Sequence, residues 1–274
     1  MLIQISLLAG YNGHPSYLSI VNTQMNNSII YALDFDGVIC DSAVETAITG
    51  WKAAGSIWGE MPKTAPQAMI DQFRLIRPNI ETGYEAILAM RLLQLGETIE
   101  SIDSGYGDKV QALLKEARVT VDDLKKLFGE TRDDWITNDL AGWVNMNPLY
   151  DGVATKLRKF GQKCPWYIVT TKQERFVNQI LKANAIELAD ERIFGLDRNM
   201  SKVEVLKGLL KTHPDQTIYF VEDRLPTLLN VLKNAELASV NLIFAMWGYN
   251  SAEDKALASQ QAFTLQQLED FGSM

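Results

Sequence analysis

Ile29-Ile30-Tyr31-Ala32-Leu33-Asp34-Phe35-Asp36-Gly37-Val38-Ile39-Cys40-Asp41-Ser42 is the stretch on which the reading of this chain turns. Five consecutive apolar, β-prone residues run straight into two aspartates and a glycine. An apolar run without polar alternation is what a strand buried on both faces requires, and parallel sheets bury both faces. Ligands of open α/β sheets bind beyond the carboxyl ends of the strands, so Asp34 and Asp36 fall where chemistry is expected.

Working outward, three further runs repeat the pattern: Trp166-Tyr167-Ile168-Val169, Ile218-Tyr219-Phe220-Val221 and Val240-Asn241-Leu242-Ile243-Phe244-Ala245. Helical periodicity fills the intervals at 173–185, 202–212 and 225–236. Strands alternating with helices predict an α/β fold, a Rossmann-like parallel sheet with right-handed crossovers. The interval 42–149 contains no strand pattern. Helix-like stretches near 43–57, 64–76, 82–95, 108–117 and 121–142 are separated by Pro62, Pro66, Pro78, Gly96, Gly105 and Gly107. We read it as an inserted all-helical domain, with Trp51, Trp58, Trp135 and Trp143 in its core. The expected organisation is therefore a core of 29–41 and 150–248, a helical insert of 42–149 and a C-terminal tail of 249–274 packed on the core. Residues 1–28 are a leader of unassigned role, and no Lys, Arg, Asp or Glu precedes Asp34.

Composition narrows the classes. The 274 residues carry 26 Lys and Arg against 34 Asp and Glu, a net charge of −8, which argues against a nucleic-acid groove. Two cysteines, Cys40 and Cys164, make no disulfide framework, and two histidines make a His-based metal site unexpected. No apolar run approaches the roughly 20 residues of a membrane span. A soluble cytoplasmic protein, monomer or homodimer, without membrane partners is expected.

The remaining strand ends strengthen the case for Asp34 and Asp36. Thr170-Thr171-Lys172 follows the second run and Glu222-Asp223 follows the third, while Ser201-Lys202 opens a helix. Acids, hydroxyls and an ammonium thus converge on one sheet edge. Paired carboxylates divide acid and base roles when their environments separate them, or gather a hard cation. An ammonium at a helix start favours an anion.

Asp34-Phe35-Asp36-Gly37-Val38-Ile39-Cys40-Asp41-Ser42 resembles the first motif, DxDGxxxDS, of the haloacid-dehalogenase-like (HAD) phosphohydrolase superfamily. Thr170 resembles its second motif, Lys202 its third and Glu222-Asp223 its acidic fourth. The helical insert looks like the cap of the phosphoglycolate phosphatase and β-phosphoglucomutase branch. The resemblance implies a HAD-like fold and a Mg²⁺-dependent phosphatase acting on a small phosphorylated metabolite, with phosphoglycolate the first candidate. It implies Asp34 as nucleophile, Asp36 as general acid and base, and Thr170, Thr171 and Lys202 as the phosphate grip. It places Mg²⁺ on the Asp34 carboxylate, the Asp36 backbone carbonyl and Asp223, with Glu222 orienting the ligands. A phosphosugar mutase and a catalytically retired HAD-fold binding protein are the alternatives. Ser42 is expected as a helix N-cap, Cys40 as a packed thiol, and Arg74, Arg77 and Arg91 as a solvated helix face, with contact to a substrate carboxylate or second phosphate the alternative for each.

Overall fold

The computed structural model describes residues 29–271; the leader expected at 1–28 lies outside them. In chain order the strands are β1 (Ile29–Leu33), β2 (Trp166–Val169), β3 (Ile193–Phe194), β4 (Thr217–Glu222), β5 (Asn241–Ala245) and β6 (Thr264–Gln266). The helices are α1 (Ala43–Ile57), α2 (Gln67–Ile76), α3 (Glu85–Gln94), α4 (Ile99–Ala117), α5 (Val121–Asn145), α6 (Val153–Lys163), α7 (Glu174–Ala183), α8 (Lys202–Thr212), α9 (Leu225–Leu232) and α10 (Ala252–Ala258). All sheet pairings are parallel and the strand order is β3-β2-β1-β4-β5-β6. The fold is α/β, as the alternating pattern predicts.

β1 shows why its sequence is uniformly apolar. Tyr31 and Leu33 point into a layer built with Leu157, Phe160, Phe176 and Ile180, from α6 and α7. Ile30 and Ala32 point into the opposite layer, with Val205, Leu206 and Leu209 of α8 and Leu228 of α9. Successive strand side chains face opposite sides, so a strand between two helical layers has no polar position to spare. The strand order reverses direction at β1, and the crevice at that reversal is where Asp34 leaves the sheet.

Helices α1 to α5 lie between β1 and β2 and share an apolar cluster of their own, including Trp51, Phe73, Ile87, Leu92 and Leu124. Two differences from the pattern reading concern helix punctuation. Gly105 does mark a boundary: its φ of −145° is non-helical, and two helical segments meet there at a kink within α4. Gly107 lies inside the second segment, and the helical stretch before Gly105 has no counterpart in the pattern. Similarly α5 extends to Asn145 across a break at Asp139. Of the four tryptophans expected in the insert's core, Trp51 and Trp58 are there. Trp143 and Trp135 instead pack on the sheet's core, where Trp143 lies against Phe176 with ring centroids 5.9 Å apart.

β3 and β6 have no counterpart in the periodicity, being two and three residues long. The stretch from 249, expected as a tail, supplies α10 and the edge strand β6. Phe271 is buried against Phe160 and Trp247, and Lys156 Nζ donates to the Leu268 and Glu269 carbonyls at 2.6 and 2.8 Å.

A buried ion pair ties the first and last helices of the insert. Glu45 of α1, fully buried, accepts from Arg132 Nε at 2.8 Å and Nη2 at 2.6 Å, from Thr49 at 2.6 Å and from Trp143 Nε1 at 3.0 Å. Burial alone would raise the Glu45 carboxyl, but Arg132 first and Lys172 next hold it below its ordinary value. Its stabilisation is therefore complete above the ordinary Glu pKa and is lost as pH falls through the lowered native value. Arg132→Ala is expected to cost about 3–5 kcal/mol of unfolding free energy in a urea titration, because a buried carboxylate loses its counter-charge. The stability gap between wild type and Glu45→Gln should close on acidification; a gap independent of pH would show that the carboxylate's charge contributes nothing.

Candidate active site

Asp34 is the first residue after β1, and its backbone N–H donates to Val221 O at 2.9 Å, continuing the ladder with β4 for one residue. Its side chain is buried beside Glu222, the last residue of β4, and Asp223, the next; one carboxylate oxygen from each lies within 4.8 Å of the others. Lys202 enters from the start of α8. Its Nζ is 3.0 Å from Asp34 Oδ1 and 2.6 Å from Glu222 Oε2. The placement is local in origin: Ser201 caps α8 by accepting from the Glu204 N–H at 3.2 Å while Glu204 reaches back to the Ser201 N–H, and this sets the first turn against the sheet edge.

Gly37 lets the chain turn back over this cluster. Its φ is +90°, and a Cβ there would collide with the Asp223 carboxylate. The turn carries Asp36 away from the three carboxylates, so the Asp36 side chain is not among them. It meets Lys172 instead, with Nζ 3.1 Å from Oδ1 and the lysine side chain fully buried. Thr170 is buried and lines the pocket; its Oγ1 accepts from the Lys172 N–H at 3.2 Å. The Thr171 hydroxyl is committed elsewhere, donating to the Glu81 carbonyl at 3.0 Å. Asp34, Asp36, Thr170 and Lys202 line one cavity of about 320 Å³, together with Arg77 and Arg224.

Electrostatics follow from burial and crowding. Burial raises the Asp34 carboxyl to about 6, with Lys202 opposing and Glu222 adding to the rise. Asp223 is pushed well above its ordinary value by burial and then by Glu222 and Asp34. Burial also works against the Lys202 charge, but Asp34 and Glu222 outweigh it and raise its pKa. Asp36 goes the other way: burial would raise it, and Lys172, Arg77 and Arg132 together hold it below its ordinary value. The two aspartates of one motif thus differ in protonation tendency because each faces a different set of charges.

Three buried carboxylates, with one lysine paired to only two of them, fit a hard divalent cation. Asp223 Oδ1 is buried without a hydrogen-bond partner among the described residues, an acceptor left for such an ion. Asp223 Oδ2 accepts from the Tyr249 N–H at 2.5 Å. Glu222 has little capacity left, since Oε2 holds Lys202 and Oε1 accepts from the Arg224 N–H at 3.0 Å.

Several residues depart from their expected roles. Ser42 stands at the N-cap of α1 without a side-chain capping bond; the nearby Asp41 Oδ1 accepts from the Ala43 N–H at 3.4 Å. Asp41 also accepts from Tyr249 Oη at 2.9 Å and pairs with Arg74 at 3.1 Å. Arg77 and Arg91 are buried rather than solvated, because the helices bearing them pack inward. Cys40 is a packed thiol, and burial pushes its pKa well up. Lys172, Arg224 and Tyr249 were not singled out by the sequence. Lys172 carried a signal, two residues beyond Thr170 at a strand end; Arg224 and Tyr249 carried none separable from ordinary loop residues.

Among solved structures, a predicted phosphoglycolate phosphatase from Haemophilus somnus 129PT superposes with a TM-score of 0.56 at 17% identity, covering 89% of this chain and 96% of that one. A predicted phosphatase from Clostridium acetobutylicum gives 0.53 at 16%, covering 91% and 98%. A haloacid dehalogenase-like family hydrolase from Streptococcus pneumoniae gives 0.50 at 17%, covering 90% and 98%. The fold is haloacid-dehalogenase-like. No family model matches the sequence, and no curated protein does. The haloacid-dehalogenase-like architecture is thus shared at identities of 17% and below with these structures, over nearly their whole lengths.

Gly37→Ala tests the turn that passes over the carboxylates and leaves Asp36 on Lys172. A side chain in this left-handed backbone, pressed against Asp223, is expected to cost about 1–3 kcal/mol, read as a lower thermal midpoint. An unchanged midpoint would mean that the turn relaxes freely.

Proposed function

We propose that this chain is a phosphatase hydrolysing a small phosphorylated metabolite through an aspartyl-phosphate on Asp34, with phosphoglycolate the first substrate to try. The observation that carries the reading is the meeting of Asp34, Asp36, Thr170 and Lys202 in one cavity, brought there by two strand ends and one helix start. Structures of the same fold described as phosphatases support it.

In this reading an Asp34 carboxylate oxygen attacks phosphorus, and the bond from phosphorus to the ester oxygen breaks as the leaving alcohol takes a proton from Asp36. Water then attacks the aspartyl-phosphate, Asp36 accepts its proton, and Asp34 is released as carboxylate with inorganic phosphate. Dividing one displacement into two is the advantage of covalent catalysis. Lys172 favours the ionised Asp36, the state that takes a proton from water; donation to the leaving group requires that contact to loosen. Lys202 and Thr170 would hold the phosphoryl oxygens that do not depart. Asp34 and Asp223 would hold Mg²⁺, with the Asp36 carbonyl and Glu222 beside them. When bound, the cation supplies the positive charge that offsets repulsion between a carboxylate and a phosphate dianion. The helices of the insert would act as a cap that excludes bulk water.

Phosphate release from a panel of phosphorylated metabolites tests the reading. Turnover is expected with Mg²⁺, to stop with EDTA and to return when Mg²⁺ is restored in excess. Asp34→Asn should reduce release to background without unfolding, since a neutral amide relieves crowding among buried like charges; retained turnover in this variant would remove Asp34 as nucleophile.

A further inference from the structure

Asp223 is gripped by a loop that takes no part in the chemistry set out above. The loop joins β5 to α10, and its residues Trp247, Gly248, Tyr249 and Asn250 reach back to the chain after β1 and β4. The Tyr249 N–H donates to Asp223 Oδ2 at 2.5 Å. The Asn250 side-chain amide donates to the Asp223 carbonyl at 3.1 Å and to the Ala245 carbonyl at 2.9 Å, so one side chain ties Asp223 to the end of β5. Gly248 comes so close that a Cβ there would overlap both the Asp223 side chain and the Gly37 carbonyl. The loop is itself pinned to the residues after β1, since Trp247 Nε1 donates to the Val38 carbonyl at 3.1 Å and Tyr249 Oη to Asp41 at 2.9 Å.

An aspartate ligates a cation through one oxygen or through both. Here Oδ2 is committed to a backbone donor, while Oδ1 is buried without a hydrogen-bond partner among the described residues. Mg²⁺ demands short bonds in a near-ideal octahedron, whereas Ca²⁺ takes more oxygens at longer distances, often two from one carboxylate. We propose that the loop of 247–250 fixes Asp223 as a one-oxygen ligand and so selects Mg²⁺ over Ca²⁺, with Asn250 as a positioning residue that acts through Asp223. This rests on the reading of Asp223 as a Mg²⁺ ligand and adds to it the part of the chain that chooses the cation. Groups that orient a ligand carboxylate are typically worth about 10–100-fold in metal affinity.

Competition against Mn²⁺ tests this without substrate. Mn²⁺ bound to the full chain is followed by electron paramagnetic resonance while MgCl₂ or CaCl₂ displaces it. MgCl₂ is expected to displace it at lower concentration than CaCl₂ from wild type. In Asn250→Ala the ratio of the two concentrations should move about tenfold or more towards Ca²⁺. Asn250→Ser, which retains one donor, should fall between. Gly248→Ala should shift the ratio the same way, because its methyl group pushes the Asp223 carboxylate off the Tyr249 N–H, and it serves if the Asn250 variants unfold. Lys156→Met, which loses the bonds to the Leu268 and Glu269 carbonyls, controls for lost stability and should keep the wild-type ratio. A wild type from which MgCl₂ is no better a competitor than CaCl₂ would overturn the proposal. So would a ratio unchanged in the folded loop variants, or one that Lys156→Met shifts equally. A loop-dependent preference in a protein that releases no phosphate from any ester would remove the phosphatase reading alone; phosphate release with a ratio indifferent to the loop would remove this proposal alone.

Discussion

The crowding of carboxylates at the carboxyl edge of the sheet is the constraint on which the rest depends. Asp34, Glu222 and Asp223 converge there, two of them fully buried, with Lys202 on Asp34 and Glu222, while Asp36 stands apart on Lys172. Such a cluster is unfavourable by itself: burial and mutual repulsion push Asp34 and Asp223 towards the neutral acid. It persists because the surrounding structure leaves these side chains nowhere else to go. β1 and β4 are paired in register from Ile29 with Thr217 to Leu33 with Val221, so their next residues emerge side by side. The Gly37 turn then folds over them, and Tyr249 closes the far side.

The helical insert is fastened to this edge by polar contacts. Thr171 donates to the Glu81 carbonyl, Arg175 of α7 forms a double hydrogen bond with Asp133 of α5, and Arg224 faces Glu81. Arg175 and Asp133 are half-exposed and Glu81 largely exposed, so each of these ion pairs is worth little alone. The Glu45–Arg132 pair is different, being buried and bidentate, and it joins α1 to α5 within the insert.

Much of this was legible in the residues. β1, β2, β4 and β5 are apolar on both faces because each lies between two helical layers, and that requirement writes itself into consecutive residues. The sheet's edges were not legible. β3 and β6 are too short for a period, and each is paired on one side only. Gly105 punctuates α4 as a turn residue does, at a kink where two helical segments meet, but the segment before it carries no period that the sequence shows. Trp143 was assigned by its position in the chain, whereas its burial is decided by where α5 ends, on the sheet's own core.

The site divides in the same way. Sequence by itself determined the types of chemistry present: acids after β1 and β4, hydroxyls after β2, and an ammonium opening α8, each tied to a strand or helix boundary that local pattern reveals. Tertiary structure alone decided the pairing: Lys172 on Asp36 rather than in solvent, Lys202 between Asp34 and Glu222, and Arg77 buried against Tyr249. The reason is physical. Backbone periodicity is a local property that the chain records, while the partner of a long charged side chain is set by which strand ends become neighbours, and β1 adjoins β2 and β4 only after the sheet has assembled.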